Sequence, residues 1–109
     1  MTFSVFVTDD AQRDLDDIHS YIATQNGLSR ADQVLDGIEN VLAGLARFPR
    51  RGEHPSELLA LGIRDFRQAH YKPYRMIYQV RAAEVSVLVV ADGRRDMQTL
   101  LQRRLLGSG

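Results

Sequence analysis

The sequence contains no cysteine, a single lysine and only three prolines among its 109 residues. The lack of cysteine excludes a disulfide framework, cysteine-ligated zinc, an iron–sulfur cluster and a thiol nucleophile. No apolar run approaches the ~18 residues of a membrane span, and residues 1–10 lack the basic start and apolar core of a signal peptide. We therefore expect one soluble domain over residues 1–109, located in the cytoplasm and without a membrane partner.

Several signatures of small-molecule chemistry are also missing. The chain has no G-x-G-x-x-G, G-x-x-x-x-G-K-[ST] or G-x-S-x-G motif, which argues against dinucleotide binding, a P-loop and an α/β-hydrolase. Its three histidines lie far apart, without the H-x-x-x-H or H-x-H spacing of metal ligands. We expect neither a cofactor nor a metal site.

What the chain does have is an uneven distribution of charge. Residues 1–46 hold eight acids and two bases, a net charge of −6, whereas residues 47–109 hold six acids and twelve bases, a net charge of +6. Eleven of those twelve bases are arginines, whose planar fork matches carboxylates and phosphates. Two interpretations stay open: a basic surface for an acidic partner, or two halves that neutralise each other across the fold.

Apolar residues at helical spacing predict two consecutive helices. Thr8 or Asp9 is a suitable cap for the first, and Asn26-Gly27 is a suitable stop. Ser29 is the predicted cap of the second helix, and so short a connection predicts an antiparallel hairpin. The acids of the first helix lie off its apolar stripe, so we interpret them as a solvated face.

Alternating side chains predict strands over residues 3–8, 63–71 and 74–80, and a nearly continuous apolar, β-branched run predicts a central strand over residues 85–91. A helical turn is predicted at residues 57–61, and a final helix capped by Asp92 carries one apolar stripe. The order is β-α-α-β-β-β-α, and the short connections between the later strands predict antiparallel pairing. The predicted fold class is α+β, a helical hairpin packed on a small, curved, mainly antiparallel sheet with its other face partly open.

Cationic side chains on the predicted strands are candidates for a phosphate site. Arg67 and Arg75 are expected to meet across adjacent strands, where His70 and Tyr71 would join them. A metal-free ribonuclease would need such cations for the phosphoryl charge and a proton-transfer group. The alternative is that these arginines bridge to the acidic helices or face the solvent.

The densest polar cluster is Asp92-Gly93-Arg94-Arg95-Asp96, where the last strand ends. Its two arginines either contact a partner or pair locally with the flanking aspartates, and surface pairs of that kind are worth at most about 1 kcal/mol. The basic and apolar tail that follows is either a frayed helix end or an interaction segment: Arg103, Arg104, Leu105 and Leu106.

The ordered set of motifs resembles the ParE branch of the RelE/ParE toxin superfamily over nearly the whole chain. The most specific parts are the Tyr-Arg-x-x-Tyr strand and the Gly-Arg-Arg-Asp ending. The full set is Val7-Thr8, Ala11, Asp14-Leu15, Ile18, Tyr21-Ile22, residues 42–45, Pro49, Gly52, residues 74–78 and residues 90–96. The resemblance implies the toxin of a type II toxin–antitoxin pair, neutralised by a small cognate antitoxin that wraps a C-terminal segment over its surface. ParE-type members poison DNA gyrase and stall replication, whereas RelE-type members cleave mRNA on the ribosome.

Two departures from the ribonuclease pattern favour the gyrase branch. Ribonuclease members usually carry a tyrosine or a His-Tyr pair near the C-terminus, but no tyrosine or histidine follows Tyr78 here. They are also strongly basic, as phosphate contacts require, whereas this chain is neutral. We therefore expect a binding toxin with no catalytic residue and without direct nucleic-acid binding.

Each branch of the resemblance has its own candidate residues. For gyrase, the candidate contacts are Arg94, Arg95, Arg103, Arg104, Leu105 and Leu106, and removal of the residues after Leu101 is expected to abolish toxicity but not antitoxin binding. For the alternative, a ribosome-dependent mRNA endoribonuclease, the candidate site is Arg67, His70, Tyr71, Arg75 and Arg81.

Overall fold

The helices and strands follow one another in the predicted order in a computed structural model, which describes residues 2–107. The elements are β1 Ser4–Val7, α1 Asp9–Asn26, α2 Leu28–Gly44, α3 Ser56–Leu59, β2 Arg67–Tyr71, β3 Tyr74–Arg81, β4 Glu84–Asp92 and α4 Met97–Leu106. The short α3 falls where a helical turn was predicted. No helix in this part of the chain combines the length and the apolar character needed to cross a bilayer.

A single glycine connects the two helices of the hairpin. Thr8 caps α1, since its hydroxyl oxygen accepts a hydrogen bond from the Ala11 N–H at 3.2 Å, as predicted. Gly27, with a φ of 95°, both ends α1 and precedes α2, and no side chain caps the second helix. The cap predicted at Ser29 is therefore wrong: a positive φ at Gly27 lets the chain reverse within one residue, and α2 already begins at Leu28.

The sheet has the strand order β1-β4-β3-β2. The pairs β2/β3 and β3/β4 are antiparallel, whereas β1 lies parallel to β4, with Val7 opposite Val87. A parallel pair needs a long crossover, and the chain between β1 and β4 supplies one. The predicted α+β class with a mainly antiparallel sheet is confirmed.

The second strand is shorter than the pattern predicts, because β2 begins at Arg67 rather than at residue 63. Residues 63–66 leave the sheet, since Gly62 takes a φ of 77° and the Ile63 N–H then donates to the Leu58 carbonyl oxygen at 2.9 Å. Ile63 and Phe66 pack instead against the apolar cluster beneath α3 and α4.

Each face of the sheet has its own core. The hairpin covers one face, and the first cluster includes Leu15, Ile38 and Tyr78. On the opposite face, α3 and α4 pack a second cluster that includes Ile77 and Leu101. Because these two helices are short, they cover the second face only in part, which leaves grooves beside them.

The last helix is capped by Asp96, so the cap predicted at Asp92 is wrong. The Asp96 carboxylate accepts hydrogen bonds from the Thr99 N–H at 3.2 Å and from the Thr99 hydroxyl at 2.8 Å. These bonds to the charged form lower the pKa of Asp96. Asp92 bonds instead to Arg94, two residues along the turn.

The side chains of Asp14 and Arg104 bond to backbone groups of β4 beyond the point where β1 ends. Both Asp14 carboxylate oxygens accept hydrogen bonds from the Arg104 guanidinium at 3.0 Å, and each side chain is 19% exposed. Asp14 also accepts from the Val90 N–H at 2.9 Å, and Arg104 donates to the Leu88 carbonyl oxygen at 2.9 Å. These two backbone groups lie beyond Val87, the last β4 residue paired with β1. The predicted solvated helix face is therefore wrong for Asp14.

That pair also decides between the two interpretations of the uneven charge. Four ion pairs between an arginine and a carboxylate occur within residues 2–107, and three of them join residues of the same half of the chain. Only Asp14–Arg104 links the acidic half to the basic half. Most of the arginines of the second half are therefore not neutralised by the aspartates of the first.

Candidate functional site

A groove lies between α1 and the chain reversal that follows β4. Its volume is about 440 Å³, and its walls come from α1, from the start of β3 and from the turn after β4. We call it the tyrosine–arginine groove and define it by Ile18, Tyr21, Tyr74, Arg94 and Arg95, which all line it. It holds two of the arginines that the sequence offered as target contacts.

The turn after β4 holds Arg94 in a fixed orientation at the surface. Asp92 accepts three hydrogen bonds from Arg94: from its backbone N–H and Nε at 2.9 Å and from Nη2 at 2.6 Å. The bond from Arg94 lowers the pKa of Asp92, and the same contact raises the pKa of Arg94. The Arg94 side chain nevertheless stays 78% exposed, so its remaining donors point to the solvent.

Close backbone contacts keep that turn tight. The Gly93 N–H donates to the Pro73 carbonyl oxygen at 2.7 Å, and a Cβ at Gly93 would lie 2.8 Å from Arg75 Cδ. A Cβ at this position would force the Arg75 side chain, which is bound by Glu57, to shift. Arg95 follows on the surface, and no carboxylate within residues 2–107 forms an ion pair with it.

Two tyrosines give the groove an aromatic wall. Tyr21 is 68% exposed although its neighbour Ile22 is buried in the core. Tyr74 is half-buried, and this burial, helped by the charge of Asp92, raises the pKa of its phenol. Tyrosine and arginine, together with tryptophan, are the residues most enriched at the energetic centres of protein interfaces. The groove is therefore suited to bind a protein surface.

A second depression adjoins the groove, whose own lining also includes the carboxylates of Asp14, Asp17 and Asp92. A cavity of about 250 Å³ shares Tyr21, Tyr74 and Arg94 with the groove and adds Arg30 and Lys72. The sequence analysis missed Tyr21, Tyr74 and Arg30 as site residues. Tyr21 and Tyr74 match the periodicity of ordinary helix and strand positions, so only their exposure in the fold distinguishes them.

The four predicted contacts of the tail differ in exposure. Arg103 is exposed and Leu106 is 43% exposed, whereas Leu105 is half-buried against the second cluster. The Arg104 guanidinium is already bound within the fold, by Asp14 and by the Leu88 carbonyl oxygen, so we assign it a structural role. The six candidate target contacts stay a prediction.

The cluster predicted for phosphate binding does not assemble. Arg67 lies opposite Tyr78 and His70 lies opposite Arg75, which places Arg67 and Arg75 on opposite faces of the sheet. Arg67 donates to the Arg50 and Gly52 carbonyl oxygens at 3.2 and 2.8 Å.

The other members of that set have different surroundings. Tyr71 packs in the first core against α2, where Gly37 leaves room for its ring. His70 is exposed opposite Arg75, whereas Arg81, at the end of β3, lines a groove together with Arg67. The expectation that all five residues converge on one site is wrong, because Arg67 and Arg75 lie on opposite faces and Tyr71 is held in the core.

Arg75 is occupied by a carboxylate from α3. Its Nη1 and Nη2 donate to the two Glu57 carboxylate oxygens, both at 2.8 Å, and its Nε donates to Gln68 Oε1 at 2.9 Å. The hydrogen bond from Arg75 lowers the pKa of Glu57. This bidentate pair fastens α3 to the sheet.

That lowered pKa predicts how stability depends on pH. The stabilisation from Glu57 is present above its ordinary pKa of 4.5 and is lost as the pH falls through the lower value of the folded state. We expect Glu57→Gln to cost about 2 kcal/mol at pH 7 and progressively less toward pH 3. Urea unfolding midpoints at pH 7, 4 and 3 measure this, with the exposed Glu39→Gln as the control. A cost that stays constant across that range would contradict the assignment.

No group of three or more His, Asp or Glu side chains that could hold a metal ion occurs in the described part of the chain. His19 Nε2 lies 2.8 Å from an Asp32 carboxylate oxygen, and His54 Nδ1 lies 3.0 Å from the Phe66 carbonyl oxygen.

Known proteins share this fold. The chromosomal ParDE toxin–antitoxin system of P. aeruginosa aligns with a TM-score of 0.71 at 18% identity, over 84% of this chain and 96% of that one. The RelBE2 toxin–antitoxin complex of Mycobacterium tuberculosis gives 0.61 at 21%, over 84% and 99%. A double arginine mutant of the free E. coli toxin RelE gives 0.63 at 15%, over 92% and 93%. The fold is that of the RelE/ParE toxins.

Sequence similarity identifies the branch. Residues 5–97 match the model of a family described as the ParE toxin of the type II toxin–antitoxin system parDE. Toxin ParE3 of Caulobacter vibrioides is 32% identical over 91 residues, which cover 84% of this chain and 87% of that protein. The chain belongs to the ParE family of type II toxins.

Proposed function

We propose that this ParE-family toxin binds DNA gyrase, inhibits it and thereby blocks replication until a cognate antitoxin neutralises it. The family supports the gyrase target, since ParE-type toxins act on that enzyme. Two structural relatives come from toxin–antitoxin systems, ParDE of P. aeruginosa and the complex RelBE2 of M. tuberculosis, which supports an antitoxin partner here.

The observation that carries the proposal is the tyrosine–arginine groove. Gyrase inhibition requires the toxin to bind and to hold the enzyme, and it requires no bond-making group on the toxin. The groove presents an exposed Tyr21, an oriented Arg94 and an unpaired Arg95 on one surface. Such side chains supply most of the binding energy in protein interfaces.

The separation of Arg67 from Arg75 argues against the alternative, mRNA cleavage by the toxin. Phosphoryl transfer without a metal needs several cations and a proton-transfer group around one phosphate. Here Arg67 and Arg75 lie on opposite faces, and the Glu57 carboxylate neutralises Arg75. A bound phosphate would have to compete with that carboxylate for the Arg75 guanidinium.

The tail contributes a second contact in this proposal, through Arg103, Leu105 and Leu106. Deleting everything after Leu101 is a poor test of that role, because the deletion also removes Arg104 and breaks its bonds to Asp14. Point substitutions at the exposed Arg103 and Leu106 leave the fold intact and test the tail directly.

We expect the double variant Arg94→Ala/Arg95→Ala to need about tenfold more toxin for half-inhibition of gyrase supercoiling. Truncating a central interface residue commonly costs 1–2 kcal/mol or more, and about 1.4 kcal/mol corresponds to a factor of ten. Supercoiling of relaxed plasmid by purified gyrase, titrated with each toxin, gives the number.

The control is Arg13→Ala/Arg47→Ala, which removes the same charge from two exposed positions outside the groove. It should inhibit like the natural chain, and equal losses in both double variants would point to net charge rather than to the groove. Pulse-labelling after induction separates the two functions. DNA synthesis that stops before translation supports gyrase, whereas translation that collapses first overturns the proposal in favour of mRNA cleavage.

A further inference from the structure

A second groove, outside the site described above, is lined mainly by cationic side chains. Its volume is about 330 Å³, and it lies where β2 begins and β3 ends. We call it the arginine groove and define it by the four arginines that line it: Arg50, Arg64, Arg67 and Arg81. One carboxylate, one amide and one apolar side chain complete the lining: Asp65, Gln79 and Val80.

The fold leaves the charge of the arginine groove uncompensated. Within residues 2–107, none of its four arginines forms an ion pair with a carboxylate. This holds although Asp65 lines the groove and Glu84 is paired with Arg81 in the register of β3 and β4. Arg64 and Arg81 are exposed. Like charges gathered in this way repel one another until an anion binds.

Two of the four arginines are held in place by neutral groups. Arg67 Nη1 donates to the Arg50 and Gly52 carbonyl oxygens at 3.2 and 2.8 Å. The Arg50 guanidinium lies 5.5 Å from the centre of the Phe3 ring. These contacts orient both side chains without neutralising their charge. The remaining N–H groups of the Arg67 guanidinium are left for a ligand, and the planar fork of arginine matches the oxygens of a phosphate.

The lining of the groove distinguishes between classes of anionic ligand. Among the described residues that line it, Val80 is the only apolar one, whereas protein interfaces centre on buried apolar and aromatic side chains. None of these lining residues is aromatic, whereas single strands are held by stacking of their bases on aromatic rings. The backbone of a duplex needs neither feature, because arginines bind its phosphates from outside the stacked bases. The groove therefore fits a duplex nucleic acid best.

The arginine groove adjoins part of the proposed gyrase contact. Asp65, Gln79 and Arg81 also line a neighbouring depression of about 460 Å³. Leu105 and Leu106, the apolar tail residues of that contact, line the same depression. A toxin bound to gyrase through its tail would therefore bring the arginine groove close to the enzyme, whose substrate is duplex DNA.

We propose that the arginine groove binds the phosphate backbone of duplex DNA, namely the DNA that gyrase holds. The inference rests on the proposed function for the source of the DNA, and it gives the toxin a second anchor on the enzyme–DNA complex. Because phosphate contacts carry no sequence information, binding is independent of base sequence. The neutral net charge, from which we expected no direct nucleic-acid binding, averages two halves of opposite sign and does not describe this surface.

The test uses a fluorescein-labelled DNA duplex of 20 base pairs and the full chain without a partner. Fluorescence anisotropy at 50 mM salt should give a dissociation constant of about 10–100 µM, as expected for a non-specific contact with few phosphates. Three to four contacted phosphates predict that a plot of log K against log salt concentration has a slope of about −3. A second duplex of unrelated sequence should bind equally well.

Variants locate the binding. Arg64→Gln/Arg81→Gln should weaken duplex binding about tenfold at this salt concentration and make the slope shallower by about 2, one unit for each lost phosphate contact. Both side chains are exposed, so the urea unfolding midpoint should stay that of the natural chain. The control Arg13→Gln/Arg47→Gln removes the same charge from two exposed positions that do not line the groove, and should leave affinity and slope nearly unchanged.

Several results would overturn the proposal. These are no measurable binding of the duplex at 200 µM chain, equal losses in the groove variant and the control, and tighter binding of a 20-nucleotide DNA single strand or of an RNA duplex of the same sequence. An affinity that does not fall as salt is raised would equally contradict phosphate contacts.

Gyrase supercoiling assays keep this inference separate from the proposed function. If the natural chain inhibits gyrase but binds no duplex, the inference fails and the proposed function stands. If the natural chain binds the duplex through the groove but does not inhibit gyrase, the proposed function fails and the DNA site stands. Where both hold, Arg64→Gln/Arg81→Gln should need about threefold to tenfold more toxin for half-inhibition. Unchanged inhibition by this variant would overturn the second anchor.

Discussion

Replacing Asp14 with alanine is expected to lower the free energy of unfolding by about 3 kcal/mol. The change leaves Arg104, 19% exposed, without its carboxylate and leaves the Val90 N–H without its acceptor. Breaking a buried ion pair costs about 3–5 kcal/mol, and the residual exposure places this pair at the lower end. Because a domain of this size is stable by only about 5–15 kcal/mol, the loss is large, and thermal unfolding should shift by more than about 10 °C.

The matched control is Asp17→Ala, an exposed aspartate three residues along the same helix. It should change the stability by less than about 0.5 kcal/mol. In a double-mutant cycle, Asp14→Ala/Arg104→Ala should cost clearly less than the sum of the two single changes. If Asp14→Ala costs no more than Asp17→Ala, the assigned role of the pair in completing the edge of β4 is incorrect.

Gly52→Ala is expected to destabilise the fold by about 2–3 kcal/mol. A Cβ at this position would overlap the Tyr78 hydroxyl and lie 2.5 Å from the Gln68 carbonyl oxygen. Tyr78 cannot move aside, because its ring is fully buried and its hydroxyl donates to the Pro49 carbonyl oxygen at 2.6 Å. Burial also raises the pKa of this phenol, so it remains a donor well above neutral pH. Overpacking of a filled core commonly costs 1–3 kcal/mol.

Gly44→Ala is the control, and its expected effect on the free energy of unfolding has the opposite sign. Nothing lies within 4 Å of a Cβ at Gly44, which sits in the last turn of α2, so alanine should stabilise the helix by up to about 1 kcal/mol. Tyr78→Phe combined with Gly52→Ala should recover only part of the loss, because the Gln68 carbonyl oxygen still obstructs. Urea unfolding of the natural chain, Gly52→Ala, Gly44→Ala and the double variant measures these differences in stability. A Gly52→Ala variant as stable as the natural chain would show that the loop around residue 52 can move away from Tyr78.

Stability and recognition use different arginines of the same basic half. Arg75 and Arg104 are bound bidentately by carboxylates within the fold, and replacing either should lower the free energy of unfolding. Within residues 2–107 no carboxylate forms an ion pair with Arg95, and replacing it should weaken binding rather than stability. Activity assays on arginine variants therefore need a parallel stability measurement to be interpretable.

Much of the fold was predictable because its signals are local. The apolar spacing from Ala11 to Ile22 and the alternation along β3 depend on the period of a helix or strand, and both elements appear where predicted. The Thr8 cap is equally local, since it involves one hydroxyl and an N–H three residues away. The errors at Ser29 and Asp92 arose because the helices begin elsewhere: Gly27 leads directly into α2 without a side-chain cap, and Asp96, four residues after Asp92, caps α4.

The candidate site was predictable only in part. Arg94 and Arg95 stand in a dense polar cluster at the end of a strand, a signal that the sequence carries by itself. Tyr21 was missed because its position in the helix pattern does not show that its side chain stays 68% exposed in the folded chain. The expected meeting of Arg67 and Arg75 failed because the pairing register places them on opposite faces.

The element order, the α+β class, the segregation of charge and the resemblance to the ParE toxins can all be read from the amino-acid sequence. These properties follow from short-range periodicity, composition and motif order. Which charges meet depends on the folded chain. Asp14 and Arg104 are separated by 90 residues, and nothing local distinguishes them from exposed neighbours. Their pairing depends on where β1 ends beside β4 and on how α4 returns across the sheet.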